Sequence, residues 1–472
     1  MAQDIDLAQN LYFDYENYRT PNLEKQWIKQ SDILPLISTI EKNKIFNIVK
    51  VGSSGEGRPI YLISYGKGKT KIFLWSQMHG DESTATRALF DIFNFLSASD
   101  RYNDLRKFLF NNLTLYFIPM LNPDGAEVFQ RRNSIGIDIN RDAIRRQSAE
   151  SQILKSVFDS IKADFGFNLH DQNRYYSAGE TFKSAAISFL APAFDYEKSI
   201  NPVRLNAIKL IGSLNKLLSV FIPGHIARYS DDFEPRAFGD NFQKWGMSTV
   251  LIESGYWKYD EDKQFIRKLN FISLLAAFKS IADKSFDQET TESYESIPFN
   301  EEKLMDLVLR GALLEKNGNQ IKVDIGINLN ENTDEVSNTL YYTGNIEDIG
   351  DLSTFYGHNE LDLDGHVVVP GKISPEKFFS TDEVSKLNFE ELYFSGITDV
   401  VLSNSDLLPE STKLPINIIT AEKIRSKKIL KGKSADLVIL KNGKVKYVII
   451  NGFIHDPLNK TGQIINGRVI QQ

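Results

Sequence analysis

The chain has 472 residues, 42% of them hydrophobic and 25% charged, with a formal net charge of -7 and no cysteine. Disulfides, thiolate metal ligands and a cysteine nucleophile are therefore excluded, the charge balance gives no footprint for nucleic acid, and no Lys/Arg tract argues for a lipid surface. The length suits two to three domains, or one large α/β domain with a smaller companion.

Residues 1–45 are polar, with helical periodicity near 33–43 carried by Ile33, Leu34, Leu36, Ile37 and Ile40. The first residues lack the basic and apolar stretches of a signal peptide. A native Met1 fits a cytoplasmic protein, and a start at a mature Ala2-Gln3 fits a periplasmic or extracellular one. No apolar run approaches the ~18–20 residues needed to cross a bilayer.

From residue 46 onward, apolar bursts of strand length alternate with longer amphipathic stretches. Strands are predicted over 46–51, 59–65, 71–77, 113–118, 164–169, 184–190 and 248–253, and helices over 83–98, 148–162, 201–219 and 261–282. Such alternation predicts an α/β domain around a mixed, mostly parallel and buried sheet flanked by helices. Between strands 59–65 and 71–77, Gly66-Lys67-Gly68-Lys69-Thr70 hints at a phosphate loop, but the position for its first glycine is Ile63 and a strand follows where a helix is needed. It reads as a strand-to-strand turn.

Near 284–300 the composition turns polar and acidic, as in Asp287-Gln288-Glu289-Thr290-Thr291-Glu292, which predicts a linker over 285–300. Beyond it come short strand patterns at 306–310, 321–327, 367–369, 398–402, 436–440 and 445–450, with turn signals at Asn317-Gly318 and Asn442-Gly443. The second of these predicts a β-hairpin. The expected organisation is a catalytic domain over 1–284 and a smaller β-rich accessory domain over 301–472.

Chemistry concentrates at the C-terminal ends of the predicted strands. His79 follows strand 71–77 and Glu82 opens helix 83–98; His170 closes strand 164–169 and Glu253 closes strand 248–253. Ligand crevices in open α/β sheets lie just outside those strand ends. Two imidazoles and one carboxylate form a common catalytic zinc set, and a further carboxylate can take a proton from the attacking water. The other histidines of the six, His225, His358, His366 and His455, have no ligand-like spacing and read as surface or second-domain residues. Asn122-Pro123-Asp124-Gly125 is a strong turn signal after strand 113–118, followed by Arg131, Arg132, Asn140 and Arg141. Beside a metal, one guanidinium can bind a substrate carboxylate and another can stabilise an oxyanion.

In order and spacing, His79-x-x-Glu82, Asn122-Pro-Asp-Gly125, Arg131, Asn140-Arg141, His170 and Glu253 resemble the zinc carboxypeptidase family of M14 metallopeptidases, bacterial members in particular, over about 46–280. The resemblance implies that His79, Glu82 and His170 bind Zn²⁺, and that Glu253 is the general base and acid. It also implies that Arg131, with Arg132 as the neighbouring alternative, polarises the scissile carbonyl, and that Asn140 and Arg141 clamp a terminal carboxylate. Tyr229 is the nearest match to the family's mobile tyrosine. Asp142 departs from the second Asn of many digestive members, and the specificity segment 231–241, with Arg236 and Asp240, suggests a polar pocket.

The implied reaction is hydrolysis of the C-terminal peptide bond of a peptide with a free carboxylate. A murein-peptide amidase or N-acyl amino acid deacylase on the same scaffold is the second reading, and a catalytically inactive binding module the third. In the second region, residues 362–371 resemble the strand leading into an amidohydrolase barrel and residues 435–440 and 447–452 the β-domain that closes such enzymes, without the barrel itself or its H-x-H motif, so that His366 reads as a turn residue.

Overall fold

The structure is a computed structural model that describes residues 2–316, 318–334, 339–403, 408–420 and 427–470. It separates into two compact units, Met1–Glu302 and Lys303–Gln472.

In chain order the first unit contains α1 (Ala2–Asp14), α2 (Gln30–Glu41), β1 (Phe46–Ser53), β2 (Pro59–Gly66), β3 (Thr70–Ser76), α3 (Thr84–Ser97), α4 (Asn103–Asn112), β4 (Leu113–Ile118), α5 (Pro123–Glu127) and α6 (Ala149–Ile161). It continues with β5 (Phe165–Asp171), β6 (Tyr176–Ala178), β7 (Ile187–Leu190), α7 (Pro202–Leu218), β8 (Ile226–Arg228), α8 (Phe238–Lys244), β9 (Ser248–Ser254), α9 (Gln264–Asp283), α10 (Thr291–Glu295) and β10 (Asn300–Glu302). Eight strands form one sheet in the order β1-β2-β4-β3-β5-β9-β7-β8. Its centre, β4-β3-β5-β9, is parallel throughout, while β1-β2, β2-β4 and β9-β7 pair antiparallel. This is the mixed, mostly parallel architecture that the strand and helix alternation implies.

The two faces of β3 show why these strands lack a polar side. Ile72 and Leu74 join a core with residues of α3, α7 and α9. Phe73 and Trp75 point the other way, into a core with Leu154 and Phe158 of α6 and Phe238 and Phe242 of α8. A strand covered by helices on both faces is apolar at consecutive positions. Because β3, β5 and β9 run in the same direction, the residues that follow them emerge at one sheet edge.

Several expectations need correction here. The predicted linker 285–300 is folded onto the first unit: it contains α10 and the start of β10, and Phe286, Tyr294 and Ile297 are buried. β10 pairs antiparallel with β6. The three apolar side chains are spaced too widely to register against the acidic residues between them. Helices α1 and α4 were not anticipated; Ala8 and Leu11 of α1 are buried in the first core. The strand predicted over 184–190 begins only at Ile187. His225 is not a surface residue but half-buried, bonded to Ser184 O at 2.8 Å and packed 4.7 Å from the Trp257 ring.

The second unit is β-rich. One sheet contains Leu304–Lys316, Asn319–Asp334 and Thr339–Gly350 in antiparallel succession, and continues through Val367–Pro370, Leu437–Lys441 and Lys444–Ile450. At the predicted hairpin Lys441 pairs with Lys444, and Asn442 and Gly443 have φ of 51° and 74°, the positive pair that a two-residue type I′ turn requires. The expected Asn317-Gly318 turn lies partly outside the described residues, at Asn317. A further five-stranded sheet includes the parallel neighbours Lys372–Phe378, Ile397–Leu402 and Asn417–Ile419; its two short helices, Thr381–Val384 and Phe389–Phe394, were not anticipated.

Candidate metal and active site

His79 and Glu82 lie on the short connection from β3 to α3. The connection is shaped from behind by the Asn122–Gly125 turn. Asn122 N–H donates to Gln77 O at 3.0 Å, and Asn122 Oδ1 accepts from Gly125 N at 2.9 Å to cap α5. Gly80 packs so closely on this turn that a Cβ there would stand 2.0 Å from Gly125 C. No side chain fits at that distance, which explains a glycine between His79 and Glu82 in physical terms.

Among the described residues, one group of three potential ligands converges: His79, Glu82 and His170, with ligand atoms all within 4.8 Å of one another. His79 Nδ1 is 2.7 Å from Glu82 Oε1, His170 Nδ1 is 2.7 Å from Glu82 Oε2, and the two Nδ1 atoms are 3.1 Å apart. All three residues are buried. On its far side His79 Nε2 is 3.2 Å from Asp138 Oδ1. A carboxylate on that nitrogen holds its proton there and turns the Nδ1 lone pair inward, as in the carboxylate–histidine pairs around bound metals.

The electrostatics agree. Burial opposes charge on His79, but Glu82 and the Asp138 contact outweigh it and lift the imidazole to about 9. Burial alone would raise the Glu82 carboxyl, yet His79 and His170 hold it well below the ordinary range. The pocket is thus built for positive charge between two nitrogens and a carboxylate. A borderline-soft dication with nitrogen and oxygen ligands fits this donor set.

Arg131 closes one side. Its Nη1 is 3.0 Å from His79 Nδ1 and donates to Glu82 Oε1 at 3.2 Å, and its Nε donates to Asp138 Oδ2 at 3.0 Å. The loop behind it is pinned by Asn133, whose Oδ1 accepts from Ile137 N and whose Nδ2 donates to Glu150. Arg132 turns away and donates to Gly136 O at 2.9 Å. Asn140 is buried and its Oδ1 accepts from Phe238 N at 3.0 Å. Arg141 is partly exposed, donates to Asn140 O at 2.8 Å, and places Nε 3.4 Å from Glu234 Oε2. Asp142 has a structural use, accepting from Gln147 N and Ser148 N ahead of α6.

Glu253 stands at the end of β9, directly opposite His170 of β5 in the parallel register. Burial, then the nearby Glu82 charge, pushes its carboxyl well above the ordinary range. Tyr229 follows β8 and packs on Tyr176 with ring centroids 5.6 Å apart; burial and the Glu253 charge push its hydroxyl up. In segment 231–241, Glu234 bonds to Arg236 through both carboxylate oxygens, and its N–H donates to Asp240 Oδ1 at 3.0 Å.

Sequence reasoning missed Asp138 and Glu234. Asp138 had a signal, its place two residues before Asn140 on the same polar turn, where its side chain also accepts from Asn140 N at 2.9 Å. Glu234 had none, because its contact with Arg141 joins segments 93 residues apart.

Residues 36–186 match the family model described as zinc carboxypeptidase. The match includes His79, Glu82, Arg131, Asn140, Arg141 and His170; Tyr229 and Glu253 lie beyond it. Carboxypeptidase SOL1 of Arabidopsis thaliana is 27% identical over 133 residues, 26% of this chain and 27% of the relative. Carboxypeptidase 2 of Trichophyton tonsurans is 24% identical over 135 residues, 28% of this chain and 24% of the relative. The chain thus spans about a quarter of the length of the curated relatives it matches. Among solved structures, a metallo-carboxypeptidase from Pseudomonas aeruginosa in complex with (2-guanidinoethylmercapto)succinic acid aligns with a TM-score of 0.44 and 16% identity, over 55% of this chain and 70% of that one. Bovine thrombin-activatable fibrinolysis inhibitor in complex with tick carboxypeptidase inhibitor aligns with a TM-score of 0.44 and 15% identity, over 55% of this chain and 98% of that one. Residues 36–186 thus carry the zinc carboxypeptidase pattern. No described helix is long and apolar enough to cross a membrane.

Proposed function

We propose that the chain is a zinc-dependent metallocarboxypeptidase that removes the C-terminal residue of peptides. The observation that carries this reading is the meeting of His79, Glu82 and His170 through contacts of 2.7 and 3.1 Å, with Glu253 on the next strand. His79 Nδ1, His170 Nδ1 and the Glu82 carboxylate would hold the ion. When bound, zinc would lower the pKa of a coordinated water and polarise a carbonyl.

The chain's own residues supply the remaining steps. Arg141 and Asn140 bind and orient the terminal carboxylate, for which Arg141 exchanges its Glu234 partner. Glu253, with a carboxyl whose proton affinity burial has raised, accepts a proton from the attacking water and returns it to the leaving amine. Arg131 presents its guanidinium, 43% exposed as a side chain, to the oxyanion that develops on the scissile carbonyl. Tyr229, whose hydroxyl feels the Glu253 charge, would be the tyrosine that approaches a bound substrate.

The test is a panel of peptides that differ only in their last residue, offered with free and amidated termini and with a chelator control. Release of the last residue from free-acid peptides, stopped by chelation and restored by zinc, is the expected result. Equal cleavage of amidated peptides, or activity only on γ-linked or acyl substrates, would contradict it.

A further inference from the structure

Two of the segments that carry the site end against one ammonium group, and a third joins them through Asp171. Lys263, the residue before α9, places Nζ 3.1 Å from Ser254 O, 3.4 Å from Gln172 O and 3.2 Å from Asp171 Oδ2. Ser254 follows Glu253 at the end of β9, and Asp171 follows His170 at the end of β5. Asp171 Oδ2 also accepts from Thr84 Oγ1 at 2.6 Å, and Thr84 stands two residues after Glu82. The strand that ends in His170, the strand that ends in Glu253 and the turn that carries Glu82 therefore share a single charged knot.

The knot is part-buried and firmly placed. The Lys263 side chain is 14% exposed and that of Asp171 9%. Lys263 has a φ of 52°, a left-handed conformation that is unfavourable for a non-glycine residue. It is held there from both sides: its N–H donates to Asp260 O at 2.9 Å, and its carbonyl accepts from Arg267 N at 2.8 Å. The Asp260 carboxylate in turn accepts from Gln264 N and Phe265 N in the first turn of α9.

The last paired residues of β5 and β9 are Asp171 and Ser254. Beyond that pair Gln172 N–H donates to Ser254 O at 2.9 Å, and Lys263 Nζ reinforces this join by binding the same Ser254 carbonyl together with Gln172 O and Asp171 Oδ2. Metal ligands and a general base work only within about 0.5 Å of their required positions, so a bridge one residue past both groups bears directly on their separation. We propose, on the reading of the site given above, that Lys263 is a positioning residue that keeps His170 and Glu253 in the mutual register zinc binding and proton transfer require. It touches neither ion nor substrate and acts through Asp171, Gln172 and Ser254.

The test compares the wild-type chain with Lys263→Met and Lys263→Arg. Zinc Kd is read by competition with a chromophoric chelator, and kcat and KM are read on a free-acid peptide. Groups that orient metal ligands typically contribute 10–100-fold to metal affinity or activity. Lys263→Met should therefore weaken zinc binding about 10-fold or more and lower kcat similarly, with KM nearly unchanged, because Asn140 and Arg141 lie on another segment. Lys263→Arg, which keeps the charge, should recover much of both. A zinc Kd for Lys263→Met within about threefold of wild type, or a loss confined to KM, overturns the proposal. Should Lys263→Met fail to fold by circular dichroism, Lys263→Gln is held to the same criteria. A wild-type chain that takes up no zinc overturns the reading of the site itself, and this inference with it.

Discussion

His170 and Glu253 are lateral partners in adjacent parallel strands, paired in the register that joins β5 to β9. Lateral partners in a sheet point to the same face. An imidazole able to bind a metal and a carboxylate of raised proton affinity are thereby held side by side by main-chain hydrogen bonds, with no loop between them. Division of labour follows from environment: Glu82 faces two imidazoles and stays ionised, whereas Glu253 faces Glu82 and holds its proton more tightly.

Asp138 touches both His79 and Arg131. Replacing it with asparagine removes the charge that fixes the His79 tautomer and the partner of the Arg131 guanidinium. Asp138→Asn should weaken zinc binding by about 10–100-fold and lower kcat as Arg131 loosens. Chelator competition and steady-state kinetics check both; an unchanged zinc affinity would deny Asp138 this orienting part.

Arg141 and Glu234 make opposite predictions. Arg141→Ala should raise KM for free-acid peptides by about 10–100-fold, the loss of a charge-assisted pair of about 1.5–3 kcal/mol, and leave amidated peptides nearly unaffected. Glu234→Gln should lower KM a few-fold, since the substrate carboxylate no longer displaces an internal one. Kinetics on matched acid and amide peptides decide, and equal losses on both by Arg141→Ala would remove the clamp assignment.

Asp240 gives a pH signature. It is 7% exposed, and burial pushes its carboxyl up to about 7 from 3.8. The folded chain binds this proton more tightly than the unfolded one. Its contribution to stability is therefore complete below pH 3.8, is lost as pH rises through about 7, and changes by at most about 1.4 kcal/mol per pH unit between. Asp240→Asn keeps an acceptor for Glu234 N–H and carries no charge, so wild type should lose stability relative to the variant from pH 5 to pH 8. Urea midpoints at those two pH values measure it; parallel curves would contradict it.

Much of the site was readable because strand ends are readable. The apolar runs before His170 and Glu253 mark buried strands, and parallel strands deliver their next residues to one edge. What was not readable depends on long-range packing. The strand order, which places β4 between β2 and β3, cannot be inferred from alternation. Helix α1 is too polar for its buried Ala8 and Leu11 to stand out, and Phe286, Tyr294 and Ile297 are masked by the acidic residues around them. Lys263 gave no signal at all, since its partners become neighbours only when β5 and β9 pair.

The N-terminal segment is tied to the core by a buried charge pair. Arg267 Nη2 lies 2.5 Å and Nε 2.7 Å from the Asp91 oxygens, both side chains are fully buried, and Tyr15 O–H and Thr20 N–H donate to the same carboxylate. Arg267→Met strands that carboxylate and should destabilise the chain by about 3–5 kcal/mol, whereas adding Asp91→Leu should return much of the loss. Denaturant unfolding of the single and double variants checks this, and a double variant no more stable than the single would count against it.

The most direct test of the account is the turnover of Glu253→Gln with its zinc content measured in the same sample. The predicted result is one zinc per chain, as in wild type, with kcat lowered at least about 100-fold, the usual range for loss of a general base being 10²–10⁴. Near-normal turnover by the zinc-loaded variant, or hydrolysis that persists in wild type stripped of metal, would contradict it.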